Sequence, residues 1–461
     1  MTPFAIAIVA IFVIGYVFIA LESVTKVNKA AVAILMCVVC WSLYSIGCAE
    51  GAILPGEAFG QGGLEDVGNI GKVLEEYLGE AGTTLFFLMG AMTIVEIVDQ
   101  HGGLNFVSDL IMTRHKKKLL WRVAFMTALL SAVLDNLTTS IVMVMILRKL
   151  IPDIKDRIWY DVCVIIAANS GGAFSPIGDV TTIMLWNGKQ ISALGVIMEV
   201  TIPAFVSFIV PTFFFQRHLS GAFVLPTTKE ERKAMRPGAV TRRQRILIFC
   251  IGVGGLCSVP LFHLLTGLPP FLGILFVLGV LWVMTELMYH NKDEHDPMAK
   301  RVTQMLSHID MTTILFFLGI LMAVSALGKI NALTSMGNWL GEITSGLGVI
   351  QHYVITGVIG VLSAIVDNVP LVAASMGMYE IDPNVAAFAT DGVFWQMLAY
   401  CAGVGGSMLI IGSAAGVVVM GLENISFGWY MKNVTLKAFA GYIAGILVYF
   451  ALRELLMPLL L

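Results

Sequence analysis

Charge is what this sequence has least of. Asp, Glu, Lys and Arg make up only 13% of its 461 residues, against a hydrophobic share of 57% and a mean hydropathy of +0.86. A soluble domain carries about a quarter charged residues, so a water-soluble globular protein is excluded and an all-α polytopic membrane protein is expected. The net charge is −3, and no basic tail or long Lys/Arg tract is present, which excludes a nucleic-acid partner. The chain has no Walker A pattern, nucleophile elbow or HExxH motif. It also has no soluble segment large enough to hydrolyse ATP, so neither an enzyme, a nucleotide-driven pump nor a bound cofactor is expected. The seven cysteines lie in or against apolar segments, with Cys37 and Cys40 the only close pair, and read as small core residues. The eight histidines fall mostly in loops without ligand-like spacing. The first 21 residues lack both a basic start and a cleavage site, and read as a first transmembrane helix rather than a removed signal.

What the sequence does have is apolar stretches of about 20 residues, the length a bilayer requires. They lie near residues 3–21, 30–48, 83–98, 158–186, 190–215, 246–262, 269–289, 312–328, 393–421 and 433–456, giving about ten transmembrane helices. Two more stretches, 119–150 and 349–379, carry an Asp-Asn pair in the middle: Asp135-Asn136 and Asp367-Asn368. Basic residues flank the first on both sides, RHKKK at 114–118 and then Arg148, Lys149, Lys155 and Arg157. Cytoplasmic loops are enriched in Lys and Arg, so this stretch reads as a re-entrant hairpin whose legs of ~15 residues return to the cytoplasm. The second follows Lys329 and Glu342, has His352 at its start, and is followed by Glu380, Asp382 and Asp391. It reads as a hairpin entering from outside. The acidic connector from Glu50 to Glu80 is expected outside, with a short interfacial helix at VLEEYL. A cytoplasmic linker at 216–245, containing KEERK and TRRQR, leaves both termini outside a bacterial inner membrane.

The linker separates two similar halves, 1–215 and 246–461. TTLFFLMG at 83–90 answers TTILFFLG at 312–319, Asp135 answers Asp367, and Gly171, Gly172 and Gly178 answer Gly405, Gly406 and Gly412. The offsets, 229, 232 and 234 residues, are nearly constant. One copy is entered from inside and the other from outside, so the repeat is expected to be inverted, as in many secondary transporters.

Each half also carries a second polar interruption inside an apolar span, NSGGAFSPIGDVTT at 169–182 and GVGGSMLIIGSAAG at 403–416. Paired glycines, Pro176 and clustered hydroxyls predict two broken helices. Unwound backbone at membrane depth must be buried in protein or line a wet cavity, and its free carbonyls can coordinate a cation. The two hairpin tips and two broken helices are expected to meet near the midplane. An ionised carboxylate there costs at least ~2.5–3.5 kcal/mol, and a residue kept at that cost is read as functional. A carboxylate holding either a proton or a hard cation is the minimal exchanger, and two, Asp135 and Asp367, allow more than one proton per cycle. The plainer role of a helix cap would be filled as well by Ser or Asn, without the charge. Asp135 and Asp367 are therefore expected to bind the ion, with Asn136, Thr138 and Asn368 orienting the tips and Ser175, Asp179, Thr182, Ser407 and Ser413 adding oxygens. Glu96 and Glu199, inside spans, could relay protons or pair with a basic group.

The stretches LDNLTTSIVM, GGAFSPIGDVTTIMLW, IVDNVPLVAASM and GGSMLIIGSAAGVVVMG, in a chain similar from about residue 83 onward, resemble the NhaD-type sodium/proton antiporters of the ion transporter superfamily. The resemblance implies exchange of Na+ or Li+ for H+, with sodium exported on the proton gradient. It also implies a homodimer in the lipid bilayer whose transport region moves elevator fashion against a scaffold. Dicarboxylate-carrying members of the superfamily are similar but carry Ser-Asn-Thr at each tip. Here Asp135 or Asp367 stands first, which repels a dianion and attracts a cation. Pro370 replaces Thr138 at the second tip, so the two sites need not be equivalent. The alternatives are sodium-coupled uptake of an anion (dicarboxylate or arsenite), an uncoupled cation channel, or a membrane scaffold.

Overall fold

The computed structural model describes residues 2–20, 22–50, 70–104, 107, 110–222, 241–289, 302–307 and 309–456. Among these residues the regular structure is helical, apart from a single bridge between His115 and Ala222. Helices satisfy their own backbone, which lipid cannot do for them. In chain order the main ones are α1 (Pro3–Ala20), α2 (Lys29–Ala49), α3 (Ile70–Gln100), α4 (Lys116–Leu134), α5 (Asn136–Leu150), α6 (Ile154–Ala173), α7 (Val180–Asn187), α8 (Ala193–Phe215) and α9 (Arg242–Thr266). They continue with α10 (Pro270–Met288), α11 (Met311–Lys329), α12 (Ala332–Thr344), α13 (Gln351–Leu362), α14 (Asn368–Met378), α15 (Val393–Gly405), α16 (Ala414–Glu423) and α17 (Leu436–Phe450).

Eight segments among the described residues are long and apolar enough to cross a membrane, and seven of them fall on expected crossings. The eighth, Ala332–Leu362, joins α12 to α13. The stretch at 119–150 is a hairpin of α4 and α5, and that at 349–379 a hairpin of α13 and α14. The spans 158–186 and 393–421 are each broken, into α6 with α7 and α15 with α16. Pro176, which has no backbone N–H to donate, lies in the first break. The second break holds no proline, yet its helix restarts in the same way. Asp179 (φ −146°, ψ 149°) caps α7 by accepting from the Thr181 amide, and Ser413 (φ −142°, ψ 151°) caps α16 by accepting from the Gly416 amide.

The repeat is visible as repeated contacts. In each half the first hairpin leg lies on the broken helix at a glycine: a Cβ at Gly171 would stand 2.3 Å from the Ala128 carbonyl oxygen, and one at Gly405 2.1 Å from that of Gly360. A Cβ at Gly178 would meet the Ser131 carbonyl at 2.8 Å, and one at Gly412 the Ser363 carbonyl at 2.7 Å. The same two serines donate across that contact, Ser131 to the Ala168 carbonyl at 2.6 Å and Ser363 to the Ala402 carbonyl at 2.8 Å. Small residues and hydroxyls at helix crossings are what close packing in a membrane requires.

A buried ion cluster ties the halves together at one end of this assembly. Glu423, the last residue of α16, accepts from Arg148 Nε of α5 at 2.5 Å and from Arg157 of α6 at 2.9 and 2.7 Å. Arg157 also donates to the Ile151 carbonyl at 2.8 Å, and Asp161 lies fully buried 4.0 Å away.

The structure corrects several expectations. VLEEYL is no separate interfacial helix but the first turns of α3, which begins at Ile70 and runs unbroken into the apolar span. The TRRQR end of the linker belongs to α9, whose start is fixed by a capping box between Thr241 and Gln244. Helix α12, ahead of the second hairpin, was not anticipated. Cys250 and Cys257 are exposed on α9 rather than packed in a core, whereas Cys40, Cys48, Cys163 and Cys401 are buried, and these six and Cys37 are all free thiols. Most of the acidic connector (51–69), the KEERK part of the linker (223–240) and residues 290–301 lie outside the described residues.

Two measurements on detergent-solubilised protein check this packing. Gly405→Ala forces a methyl group into a backbone carbonyl and should lower stability by ~1–3 kcal/mol, whereas Gly421→Ala in open space should leave the thermal midpoint unchanged or raise it. Glu423→Gln removes a counter-charge from buried Arg157, which keeps Asp161 at 4.0 Å, and from the partly exposed Arg148; it should cost ~1–3 kcal/mol, read as a lower thermal midpoint.

Candidate ion-binding site

The first hairpin turns on a single residue. Asp135 stands between α4 and α5 at φ 74°, ψ 160°, a backbone region that glycine normally occupies and that costs another residue ~1–3 kcal/mol. Its carboxylate is held from one side only. Oδ1 accepts from the Thr138 amide and Oδ2 from the Thr138 hydroxyl, both at 2.8 Å. The capping role is thus real, and the carboxylate also lines a cavity.

The second tip is built differently. Asp367 has ordinary backbone (φ −51°, ψ 138°) and accepts no capping hydrogen bond, since Pro370 offers neither an N–H nor a hydroxyl where Thr138 offers both. Its Oδ2 instead accepts from Lys29 Nζ, at the start of α2, at 2.7 Å.

The tips meet on a third carboxylate. Asp179 is 2% exposed; its Oδ1 accepts from the Thr181 amide at 3.1 Å. Its Oδ2 accepts from Asn136 Nδ2 at 3.1 Å and from Asn368 Nδ2 at 3.0 Å. Asn136 Nδ2 also donates to Asn169 Oδ1 at 3.1 Å, and Asn169 Nδ2 donates to the hydroxyls of Ser407 and Ser413, both at 2.9 Å. One hydrogen-bonded chain therefore passes through both hairpin tips and both helix breaks.

Beside it lies a cavity of about 60 Å³, its polar lining Lys29, Asp135, Asn136, Asp179, Thr313, Asp367 and Asn368, with apolar residues such as Phe87, Ile183 and Phe317 completing the wall. That is room for a few water molecules or a partly dehydrated ion. Among the described residues that line it, the formal balance is three carboxylates against one ammonium. Among the described residues no three His, Cys, Asp or Glu side chains converge as a metal cage, so amide and backbone oxygens would have to complete any cation's shell. A second cavity, of about 820 Å³, lies along the same helices. Glu80, Thr83 and Thr84 of α3 line the large cavity and Phe87, Leu88 and Ala91 the small one; on α7 the pair is Asn187 and Ile183, and on α14 it is Met376 and Asn368.

Of the residues expected at the site, Asp135, Asn136, Asp179, Asp367 and Asn368 come together at the small cavity. Thr138, Ser175, Thr182, Ser407 and Ser413 do not line it. Their hydroxyls are engaged elsewhere: Ser175 donates to the Ala132 carbonyl at 2.5 Å, Thr182 to the Asp179 carbonyl at 2.9 Å, and both Ser407 and Ser413 serve Asn169. They brace the site rather than face it, as the glycines Gly171, Gly172, Gly178, Gly405, Gly406 and Gly412 do through close packing. Glu96 accepts from Gln100 at 2.9 Å and Glu199 from the Tyr449 hydroxyl at 2.7 Å and from Arg453, and neither lines the cavity. Sequence reading missed two residues, Lys29 and Asn169. Lys29 lies just ahead of the expected span 30–48, and no local pattern links it to an aspartate 338 residues away.

The comparisons with known proteins agree with this architecture. The Citrate transporter (CitMHS) family profile matches residues 16–390. Sodium/proton antiporter 1 of Arabidopsis thaliana is 43% identical over 98% of this chain and 73% of its own length, and Sodium/proton antiporter 2 of the same plant 41% identical over 96% and 99%. The Na(+)/H(+) antiporter NhaD of Vibrio parahaemolyticus is 30% identical over 82% of this chain and 91% of its own. In structure, the YdaH transporter of Alcanivorax borkumensis superposes with a TM-score of 0.58 at 12% identity, covering 93% of this chain and 98% of its own, which speaks for a shared fold. A family match over most of the chain, with relatives at this identity and coverage, makes it an integral membrane transporter rather than an enzyme, a member of the Citrate transporter family and of the NhaD type.

Proposed function

We propose that this chain exchanges Na+ or Li+ for H+, cation and proton competing for the acid site formed by Asp135, Asp179 and Asp367. The observation that carries this reading is that two aspartates from corresponding positions of a repeat line one small cavity, joined through a third carboxylate that both tip amides hold. An unneutralised charge at membrane depth is costly. The site therefore crosses most easily when its carboxylates carry a cation or a proton, and that condition couples the two fluxes. The inward proton gradient would then drive sodium out.

The inverted orientation read from the loop charges, a homodimer and an elevator movement of the two hairpins with the two broken helices complete the proposal. The glycine contacts within each half and the Asn169 hydrogen bonds between halves support treating these elements as one moving body. The larger cavity, lined by the same helices, would serve as the approach from one side. Citrate or another polycarboxylate would meet three carboxylates in a space sized for a small ion, which favours a cation as cargo.

In everted vesicles reporting pH by dye fluorescence, Asp135→Asn, Asp179→Asn and Asp367→Asn should each cut the sodium-evoked dequenching by about tenfold or more. Wild-type signals from both Asp135→Asn and Asp367→Asn would refute the proposal, and radiolabelled succinate or citrate entering proteoliposomes would favour the anion-carrying alternative. Asn136→Ala and Asn368→Ala each remove one hydrogen bond to a charged group, worth ~1.5–3 kcal/mol, and should raise the half-saturating sodium concentration about tenfold.

A further inference from the structure

Among the described residues, Lys29 is the one basic side chain lining the small cavity. Its Nζ lies 2.7 Å from Asp367 Oδ2 and 4.4 Å from the centre of the Phe316 ring, so an aromatic face backs the ammonium on its apolar side. Its position along the chain is fixed: Asn28 caps α2 by accepting from the Ala30 amide at 2.8 Å, and the Lys29 amide donates to Glu22 Oε1 at 3.1 Å. The first tip offers the contrast. There Thr138 donates twice to Asp135, and among the described residues no salt bridge to Asp135 is formed at the cavity it lines. At the second tip Pro370 removes those donors, and an ammonium group takes their place. An ammonium and a sodium ion are both hard monovalent cations that accept the same kind of oxygen.

We propose that Lys29 is a resident cation for Asp367, so that the cavity admits one transported cation, held by Asp135 and Asp179, while Asp367 acts as a positioning residue that keeps Lys29 in place. This rests on the cation-exchange reading and deepens it by assigning different parts to the two symmetric aspartates. Removing the ammonium leaves Asp367 as an unpaired charge facing the cavity, which a second cation would fill. Removing the carboxylate instead strips the ammonium of its nearest counter-charge, and it repels the cargo. Removing both restores the balance.

The test is equilibrium binding of radioactive sodium to purified protein, counting ions per chain. Wild type should bind one. Lys29→Gln should bind two, or bind one at a half-saturating concentration lower by about tenfold or more; Asp367→Asn should bind about tenfold more weakly or worse. The double variant Lys29→Gln/Asp367→Asn should return to about the wild-type count and to within about threefold of its affinity. A strut that merely held α2 against the hairpin would not gain an ion on removal, nor be rescued by deleting its partner. If Lys29→Gln matches wild type in count and affinity while Asp135→Asn abolishes binding, the resident-cation assignment is wrong and the exchange reading stands. If Asp135→Asn binds sodium as wild type does, the exchange reading falls and takes this one with it. Should Lys29→Gln fail to fold, the double variant decides, since it leaves no unpaired charge: binding as weak as in Asp367→Asn overturns the proposal.

Discussion

Two side-chain amides, Asn136 and Asn368, come from hairpins 232 residues apart in sequence and donate to the same oxygen of Asp179. Much of the centre of this protein depends on that convergence. Backbone interrupted at membrane depth must find partners within the protein, and four interruptions are present. Asp179 joins the two tips to one break, and Asn169 carries the connection to the other through Ser407 and Ser413. A polar lattice of this kind is stable only when each member is satisfied, which explains why the hydroxyls of Ser175, Thr182, Ser407 and Ser413 engage carbonyls and amides rather than line the cavity.

The repeat supplies the scaffold and breaks its own symmetry where chemistry begins. The glycine contacts and the serine hydrogen bonds of the hairpin legs recur almost distance for distance in the two halves. At the helix restarts the backbone angles also agree, yet one cap is the acid Asp179 and the other the neutral Ser413. At the tips the acids agree and their partners differ. Thr138 gives way to Pro370, and Lys29, from outside both hairpins, fills the place. Duplicated geometry thus carries different side-chain partners at each corner.

Much of this was legible in the sequence because it is written locally. Span lengths, the Asp-Asn pairs, the glycine pairs and Pro176 predicted hairpins and broken helices at the right places, and five of the expected ligands do share a cavity. What escaped was long-range or set by competition. Hydroxyl content alone could not tell that Ser175 would spend its proton on the Ala132 carbonyl, or that Ser413 would turn to Asn169. Glu75 and Glu76 suggested a loop-side helix at VLEEYL, but their backbone continues into the apolar run of α3 without a break. Lys29 could not be paired from sequence because its partner is fixed by tertiary packing, not by spacing.

The backbone angles at the two tips carry a further consequence. Asp135 is pinned by a conformation glycine would prefer and by two bonds to its own helix, so its oxygens have little freedom to follow an incoming ion. Asp367 sits on relaxed backbone and is held by a long, flexible lysine arm. If the pocket holds a cation as proposed, it would work as a vice with one fixed and one spring-loaded jaw: the rigid side would gauge ionic radius, and the compliant side would take up the difference between loaded and empty.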